Sequence, residues 1–482
     1  MSAARHGHSE ETSRRRPLIL IATFLLLVIL VIVSVATSSP APTSLVTSPV
    51  GEVAPASSES SSFTCGGFSE AAGSAADGIV LLANSSTSTR SATASAVDDK
   101  GNKGSVTLKI APGATTSLQP SRLVSGDGWT SVGIEINGGG VGVVEKLTGA
   151  GNGSATPCAA ATSPVWNFTG GSTQVNETYD ISLVNPTTTQ AVVNTSFSTE
   201  SGFVAPQNAQ GVVVNPGSVV VLSGLALVPH VSNLGAQVRA TQGTIVAFAT
   251  QESPSPAGAS VTIGEPSIQR HWVLSRGVAS PATQMSLVVS NPTPQAQNVT
   301  VHVRLPSGWV APWTNVVAPY SVWNLSMVPT SKVPLTDTFS ANVTASGPGV
   351  AVSMLTKVSG ALHGGWGNVI LSDEASMHAS RWLLVGGTGS GPLGGSLTNM
   401  GSSSVTVSAS LVTASGGVAV SGLTGREISP GTALLLPTSV LKALEKNSIV
   451  ISSTGPLSLS EDLQGGAVPS VGNLVGVPMS TG

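Results

Sequence analysis

The chain repeats itself four times. Three short signatures recur in the same order through most of its 482 residues. The first is an apolar run ending in Asn, at Asn84, Asn185, Asn291 and Asn399, with intervals of 101, 106 and 108 residues. The second is a Pro-containing turn 28 to 31 residues later, at Pro112, Pro216, Pro319 and Pro430. The third is a glycine 56 to 58 residues after the Asn (Gly140, Gly243, Gly347, Gly455), followed by another apolar run. Trp166, Trp272 and Trp382 precede their Asn by 19, 19 and 17 residues, and Cys65 takes that place in the first copy. Features that keep register over four copies mark one folding unit used four times. The missing Trp makes the first copy an atypical cap.

Each copy reads as β-structure. Val299, Val301, Val303 and Leu305 alternate with Thr300, His302 and Arg304, and Val405, Val407, Ala409 and Leu411 alternate likewise. A period of two belongs to a strand with one buried face. Val212 to Leu222 is two apolar runs broken by Asn215-Pro216-Gly217, a turn signal. About seven short strands per repeat, with turn residues every 8–12 positions, predict an all-β chain of four tandem immunoglobulin-like β-sandwich repeats. The competing architecture is a four-bladed propeller, but blades need only about 40–50 residues, so the longer pitch favours sandwiches. Thr438 to Asn447 is the one helix the pattern supports.

Charge is scarce: 20 Lys plus Arg and 23 Asp plus Glu, 9% of the chain, with a net charge of −3. A soluble domain carries about 25%. Ser and Thr fill the outward strand positions that Lys and Glu usually take. So small a net charge excludes disorder by self-repulsion. The chain also lacks the basic surface that releases counterions from nucleic acid. Two cysteines exclude a disulfide-dense scaffold or a cysteine-rich zinc domain.

Pro17 to Ala36 is an uncharged apolar run of twenty residues, preceded by Arg14, Arg15 and Arg16. At about 1.5 Å per residue it is long enough to span a hydrocarbon core of about 30 Å. The positive-inside rule puts Met1–Arg16 in the cytoplasm and the bulk of the chain outside the cell membrane. A cleaved signal peptide competes, since Ser34-Val35-Ala36 offers small residues at the cleavage positions. A Ser/Pro-rich stretch follows, which reads as an extended stalk. The expected organisation is a basic tail (1–16), a transmembrane helix (17–36) and a stalk (37–62). Repeats at 63–157, 158–264, 265–372 and 373–482 complete it.

The stretch from Cys158 to Pro186, CAAATSPVWNFTGGSTQVNETYDISLVNP, joins a Trp, a Gly-Gly-Ser-Thr and a Leu-Val-Asn-Pro. With the single span and the stalk, it resembles a family of actinobacterial membrane-anchored exported proteins that carries only a domain-of-unknown-function label. Asn167 replaces the middle aromatic of the family's run after the Trp. The resemblance implies a cell-envelope location and no assigned activity.

Few residues carry legible chemistry. Cys65 and Cys158 are expected to form a disulfide in an oxidising exported compartment, as a structural staple. Trp166, Trp272 and Trp382, at one repeat position, read as core anchors. Trp309, Trp313 and Trp323 cluster in one loop-rich stretch of the third repeat only, which suggests a contact surface. Trp366 lies in the polar stretch His363–Trp382 and is a further candidate platform. His363, Asp373 and His378 lack the tight pairing of a zinc site, so that stretch reads as a connection between repeats. Gly389 to Gly394 matches GxGxxG but leads into a strand, so it offers no helix N-terminus to a pyrophosphate. Asp98 to Asn102 reads as a hairpin turn. No catalytic residue, metal site or cofactor is expected. The sequence therefore predicts a non-enzymatic, membrane-tethered envelope protein that contacts a protein or an envelope polymer. A carbohydrate-binding accessory protein is the alternative, and an enzyme with a site between repeats is a second one.

Overall fold

The computed structural model describes residues 51–69, 74–124, 126, 128–149, 154–254, 257–279, 283–328, 330, 332–335, 338–358, 365–370, 379–388, 394–399, 401–461 and 476–480. The basic tail, the apolar run at 17–36 and the first part of the stalk lie outside them, as do His363, Asp373, Glu374, His378 and most of the GxGxxG stretch. Among the described residues no helix is long and apolar enough to cross a membrane.

The described chain is all-β, built of several sheets. The first repeat holds β1 (Ser60–Ser69), β2 (Gly78–Asn84), β3 (Arg90–Asp98), β4 (Lys103–Ile110), β5 (Thr115–Leu118), β6 (Trp129–Asn137), β7 (Val141–Leu147) and β8 (Ala155–Pro157). They form two antiparallel sheets, ordered β1-β6-β3-β4 and β5-β2-β7-β8. The second holds β9 (Val165–Gly171), β10 (Thr178–Asn185), β11 (Ala191–Thr199), β12 (Gly202–Val204), β13 (Val212–Val214), β14 (Ser218–Ser223), β15 (Leu234–Gln242), β16 (Val246–Pro254) and β17 (Ala257–Ile263). Its sheets run β9-β15-β11, with β12 and β13 along the edge of β11, and β14-β10-β16-β17.

The third holds β18 (His271–Val278), β19 (Thr283–Asn291), β20 (Gln297–Leu305), β21 (Gly308–Trp309), β22 (Trp313–Val317), β23 (Ser321–Val328), β24 (Thr338–Ala345), β25 (Ala351–Val358) and β26 (Gly365–Ile370). The pairing is β18-β24-β20, with β21 and β22 along β20, and β23-β19-β25-β26. The fourth holds β27 (Ala379–Leu384), β28 (Gly395–Thr398), β29 (Val405–Thr413), β30 (Gly416–Ala419), β31 (Arg426–Ile428), β32 (Ala433–Leu435), β33 (Ile449–Glu461) and β34 (Gly476–Pro478). Its long β33 serves both sheets: the first half pairs with β27 and β29, the second with β28. The same core order of partners recurs at the four sequence repeats; in the fourth, among the described residues, no strand takes the place of β8, β17 and β26, and β34 adds to the edge of β27.

The three signatures have one physical role each. The four Asn side chains are buried, at 0–1% exposure. Each Nδ2 donates to the carbonyl four residues on: Ser88 (2.8 Å), Thr189 (2.8 Å), Gln295 (2.7 Å) and Ser403 (2.8 Å). It also donates to the carbonyl just ahead of the Pro turn: Ile110, Val214, Val317 and Ile428. Each Oδ1 accepts the backbone N–H two residues on, from Ser86, Thr187, Thr293 and Gly401. An amide alone offers both donors and an acceptor there, so Asn is required. After each Pro, the next residue takes positive φ: Gly113, Gly217 and Gly431, and Tyr320 in the third repeat. The buried Trp166, Trp272 and Trp382 each donate Nε1–H to a carbonyl in or just before the strand after the third signature: Ile245, Val350 and Leu457.

The repeats are not beads on a string. The outer face of each repeat's first sheet meets the second sheet of the next repeat. β1 lies against β16, β9 against β25 and β26, and β18 against β28 and β33. The circuit then closes, because the fourth repeat meets the first. Leu81, Ala83 and Val144 of the first repeat share a buried cluster with Leu383, Val385 and Val412 of the fourth. Thr115 Oγ1 and Ser448 Oγ are hydrogen-bonded at 3.0 Å across that junction. Val53 belongs to the same cluster, donates its N–H to the Pro478 carbonyl and accepts from Ser480 N. The segment predicted as an extended stalk therefore packs on the fold from Gly51 onward, and β1 begins at Ser60.

Part of the scarcity of charge has a cause: some outward Ser and Gly positions lie on junction faces, where small side chains let sheets approach, while others, such as Ser91 and Thr93 on β3, stay exposed. Ser353 Oγ donates to the Thr169 carbonyl (2.9 Å) between the third and second repeats, and Gly235 lies against Ser290 there. A Lys or Glu at these positions would be desolvated without a partner. The helix expected at Thr438–Asn447 spans Thr438–Leu444, and a one-turn helix at Gly224–Leu227 was not legible.

Candidate functional site

The four Pro turns sit at the outer mouths of the junctions. Gly217 lines a cleft with Lys103 of the first repeat. Tyr320 packs against Phe203 of the second, the rings tilted by 52° with centroids 4.6 Å apart. Gly431 lies against the Arg304 guanidinium of the third, and Gly113 against Thr413 of the fourth. Each mouth brings side chains of two repeats together, and two mouths carry chemistry.

The first–second mouth is a cleft of ≈ 810 Å³. Its floor is the outer face of β1-β6-β3-β4, where Ser62, Thr64, Ser95, Ser105 and Ser131 surround Gly133. Ala159 to Thr162 and the Asn185-Pro186-Thr187 turn line the opposite wall. Among the described residues, Lys103 and Glu135 are its ionisable lining groups, and most of its exposed lining is apolar, dotted with Ser and Thr hydroxyls.

The third–fourth mouth holds aromatic and cationic groups. Val299, Val301 and Val303 of β20 are buried, so Thr300, His302 and Arg304 face outward. Trp309 pairs across from Arg304 and shares that outer face. It is 60% exposed. The Arg304 guanidinium lies 5.8 Å from its ring centroid, and His302 meets it edge-on at 6.5 Å. Trp313 instead pairs across from buried Val301, packs against the core and carries Lys332 Nζ 4.1 Å from its ring. Trp323 also packs against that core. Trp366 is placed in β26 opposite Lys357, but its side chain lies outside the described residues. The sequence candidates Trp309, Trp313 and Trp323 are therefore not one platform. Trp309 stands alone with His302 and Arg304.

A third cluster lies inside the fold. Cys65 and Cys158 form the disulfide the sequence predicts, both sulfurs fully buried. Glu145, in phase with core-facing Val143 and Leu147 on β7, is buried beside it at 0% exposure. Its Oε2 accepts the Gly66 N–H at 2.7 Å, and its Oε1 has no partner. A bulge in β1 between Cys65 and Phe68 turns that N–H out of the ladder. Burial pushes the Glu145 carboxyl well above its ordinary value, against the lowering effect of the Gly66 bond. These three residues are the one trio of metal-type ligands in reach of one another among the described residues. The disulfide commits both sulfurs, so the trio offers no thiolate to a metal. Sequence reading passed over Glu145, although the period of two in Val143-Val144-Glu145-Lys146-Leu147 places it inward.

Residues 139–369 match a family of unknown function, DUF5719. That span runs from the turn before β7 into β26, so it takes in the second repeat whole and most of the third. No curated protein matches the chain. Among solved structures, a Thermotoga maritima protein aligns over 22% of this chain and 94% of its own length, with 14% identity and a TM-score of 0.20. A tetra-tandem repeat from the extending region of a large adhesion protein aligns over 76% of this chain and 91% of its own, with 13% identity and a TM-score of 0.12. At those scores neither alignment carries an argument about fold or function.

Proposed function

We propose that the chain is a non-enzymatic cell-envelope protein, tethered by one transmembrane helix at 17–36, with Met1–Arg16 in the cytoplasm. Its exported part is four immunoglobulin-like β-sandwich repeats closed in a ring, which bind an envelope polymer or protein at the junction mouths. The observation that carries this reading is the disulfide between the only two cysteines, buried in the folded part. Such bonds persist in oxidising compartments outside the cytosol. The basic-flanked apolar run supplies the export route, and the recurring partner order supports the sandwich reading. The exposed Trp309 favours a second reading within the same class, a carbohydrate-binding accessory protein.

The experiment is a topology measurement on living cells. A reporter active only outside the membrane, fused after Gly482, is expected to be active, and the chain is expected to show no free thiol when denatured without reductant. A cytoplasmic reporter or two titratable thiols would overturn the location. Failure of the intact, detergent-solubilised chain to retain any envelope fraction would remove the binding role.

A further inference from the structure

On the outer face of β18-β24-β20 the Arg304 guanidinium stands with the exposed Trp309 and the His302 imidazole. His271, Thr344, Thr300 and Thr314 follow one another across four strands. In the parallel rows, Asn342 pairs with His302, and Ser340 with Arg304, which pairs on its other side with Trp309. Strands β18, β20, β21, β22 and β24 contain no Asp or Glu. Gly431 of the fourth repeat holds Arg304 at the mouth, and a side chain there would displace the guanidinium. We infer that this mouth is a binding site for an acidic polysaccharide, one whose sugar rings carry carboxylates. The inference rests on the envelope-polymer reading above and names the polymer's chemistry.

The argument is one of complementarity. Arg304 lies toward Trp309, yet the indole keeps most of its surface in water, so a ring face stays open to a planar apolar partner. A pyranose presents such a patch of C–H groups. A neutral sugar would use the indole and offer the guanidinium and imidazole only hydroxyl acceptors, with no charge to meet the cation. A carboxylate fits the fork of a guanidinium with two parallel hydrogen bonds. His302 beside it adds a second donor. A polymer laying one ring on Trp309 and a neighbouring carboxylate on Arg304 uses all three groups.

The test titrates the full-length, detergent-solubilised protein with oligogalacturonate, and with a neutral dextran oligomer of equal length. The acidic oligomer is expected to bind at least tenfold more tightly, and to weaken as salt rises. Arg304→Gln and Trp309→Ala are each expected to lower its affinity at least tenfold. Lys332→Gln, on the opposite face beside Trp313, is expected to change it less than twofold. Equal affinity for the two oligomers, or an unchanged Arg304→Gln, overturns the inference. If the wild-type chain retains envelope polymer but not oligogalacturonate, the acidic site falls and the envelope reading stands. If it retains neither, both fall.

Discussion

Two junctions use the same pair of faces and are secured differently. Between the first and second repeats, the cores merge into one buried cluster that includes the disulfide. Between the fourth and first, a smaller cluster is sealed by Val53 and β34, segments from opposite ends of the folded chain. The covalent bond is not where the ring closes. It lies where the first repeat lacks its Trp: Cys65 pairs across from Val132 as Trp166 pairs across from Val238. The disulfide therefore restores a weakened core, while closure between distant repeats relies on apolar contact and a few hydrogen bonds, with no covalent link. Chain entropy allows this, because the cost of closing a loop grows only with the logarithm of its length.

The strongest way to break this comparison is Cys158→Ser. The loop it opens separates the cysteines by 93 positions. Loop entropy then gives a loss of about 4–5 kcal/mol. Hydrogen exchange should rise in β1, β7 and β16 and stay unchanged at the Val53–Met479 clasp. Equal loss of protection at the clasp would mean that the disulfide holds the ring and not the first core. Next in size is Asn291→Ala, which takes the amide donor from the Val317 and Ala318 carbonyls and the acceptor from the Thr293 N–H, while the Gln295 carbonyl keeps its bonds from Thr293 Oγ1 and Gln297 Nε2. Buried groups left unpaired cost about 1–3 kcal/mol each before relaxation, so a loss of about 3 kcal/mol is expected in chemical denaturation. A loss below 1 kcal/mol would show the turn holds without the amide.

A smaller effect sharpens the other side. Val53→Ala removes two buried methyl groups and should cost about 2 kcal/mol. Exchange should speed in β2, β27 and β34 while β10 and β15 stay protected. If protection falls everywhere together, the ring is one cooperative body and the two junctions are not separable.

Much of this was legible in the sequence for a stated reason. Asn84, Asn185, Asn291 and Asn399 were visible because one buried amide must satisfy the same carbonyls in every copy. Cys65 and Cys158 were visible because two lone cysteines have one possible pairing. The circuit was not legible, since a face of Ser, Thr and Gly reads the same whether it meets water or another sheet. Val53 was masked by its Ser- and Pro-rich surroundings, whose composition says extended. At the candidate site, Trp309 was visible as an aromatic in one repeat only. Its separation from Trp313 depends on pairing register, Arg304 with Trp309 and Val301 with Trp313, which composition does not encode.

The smallest expected effect runs in the opposite direction. Glu145 sits within the core that the disulfide secures, and burial raises its carboxyl in the folded state. The folded chain then keeps a proton that the unfolded chain releases, so stability falls as pH rises above the ordinary carboxylate value. It levels off only once the folded group also ionises. Asp180, raised to about 6 by burial despite a bond from Ser223, with Glu252 nearby adding to the shift, contributes the same sign between its ordinary value and about 6. Glu145→Gln keeps an acceptor for the Gly66 N–H and removes the charge. Relative to wild type it should gain stability as pH rises from 4 to 8, in denaturation without reductant. The remaining slope is shared by Asp180 with Glu252 and Glu52, whose carboxyls burial also raises, and should lessen in Asp180→Asn. A Glu145→Gln chain that loses stability relative to wild type over that range would mean the carboxylate is paired in the folded state, and the first junction would then be held by an ion as well as a disulfide.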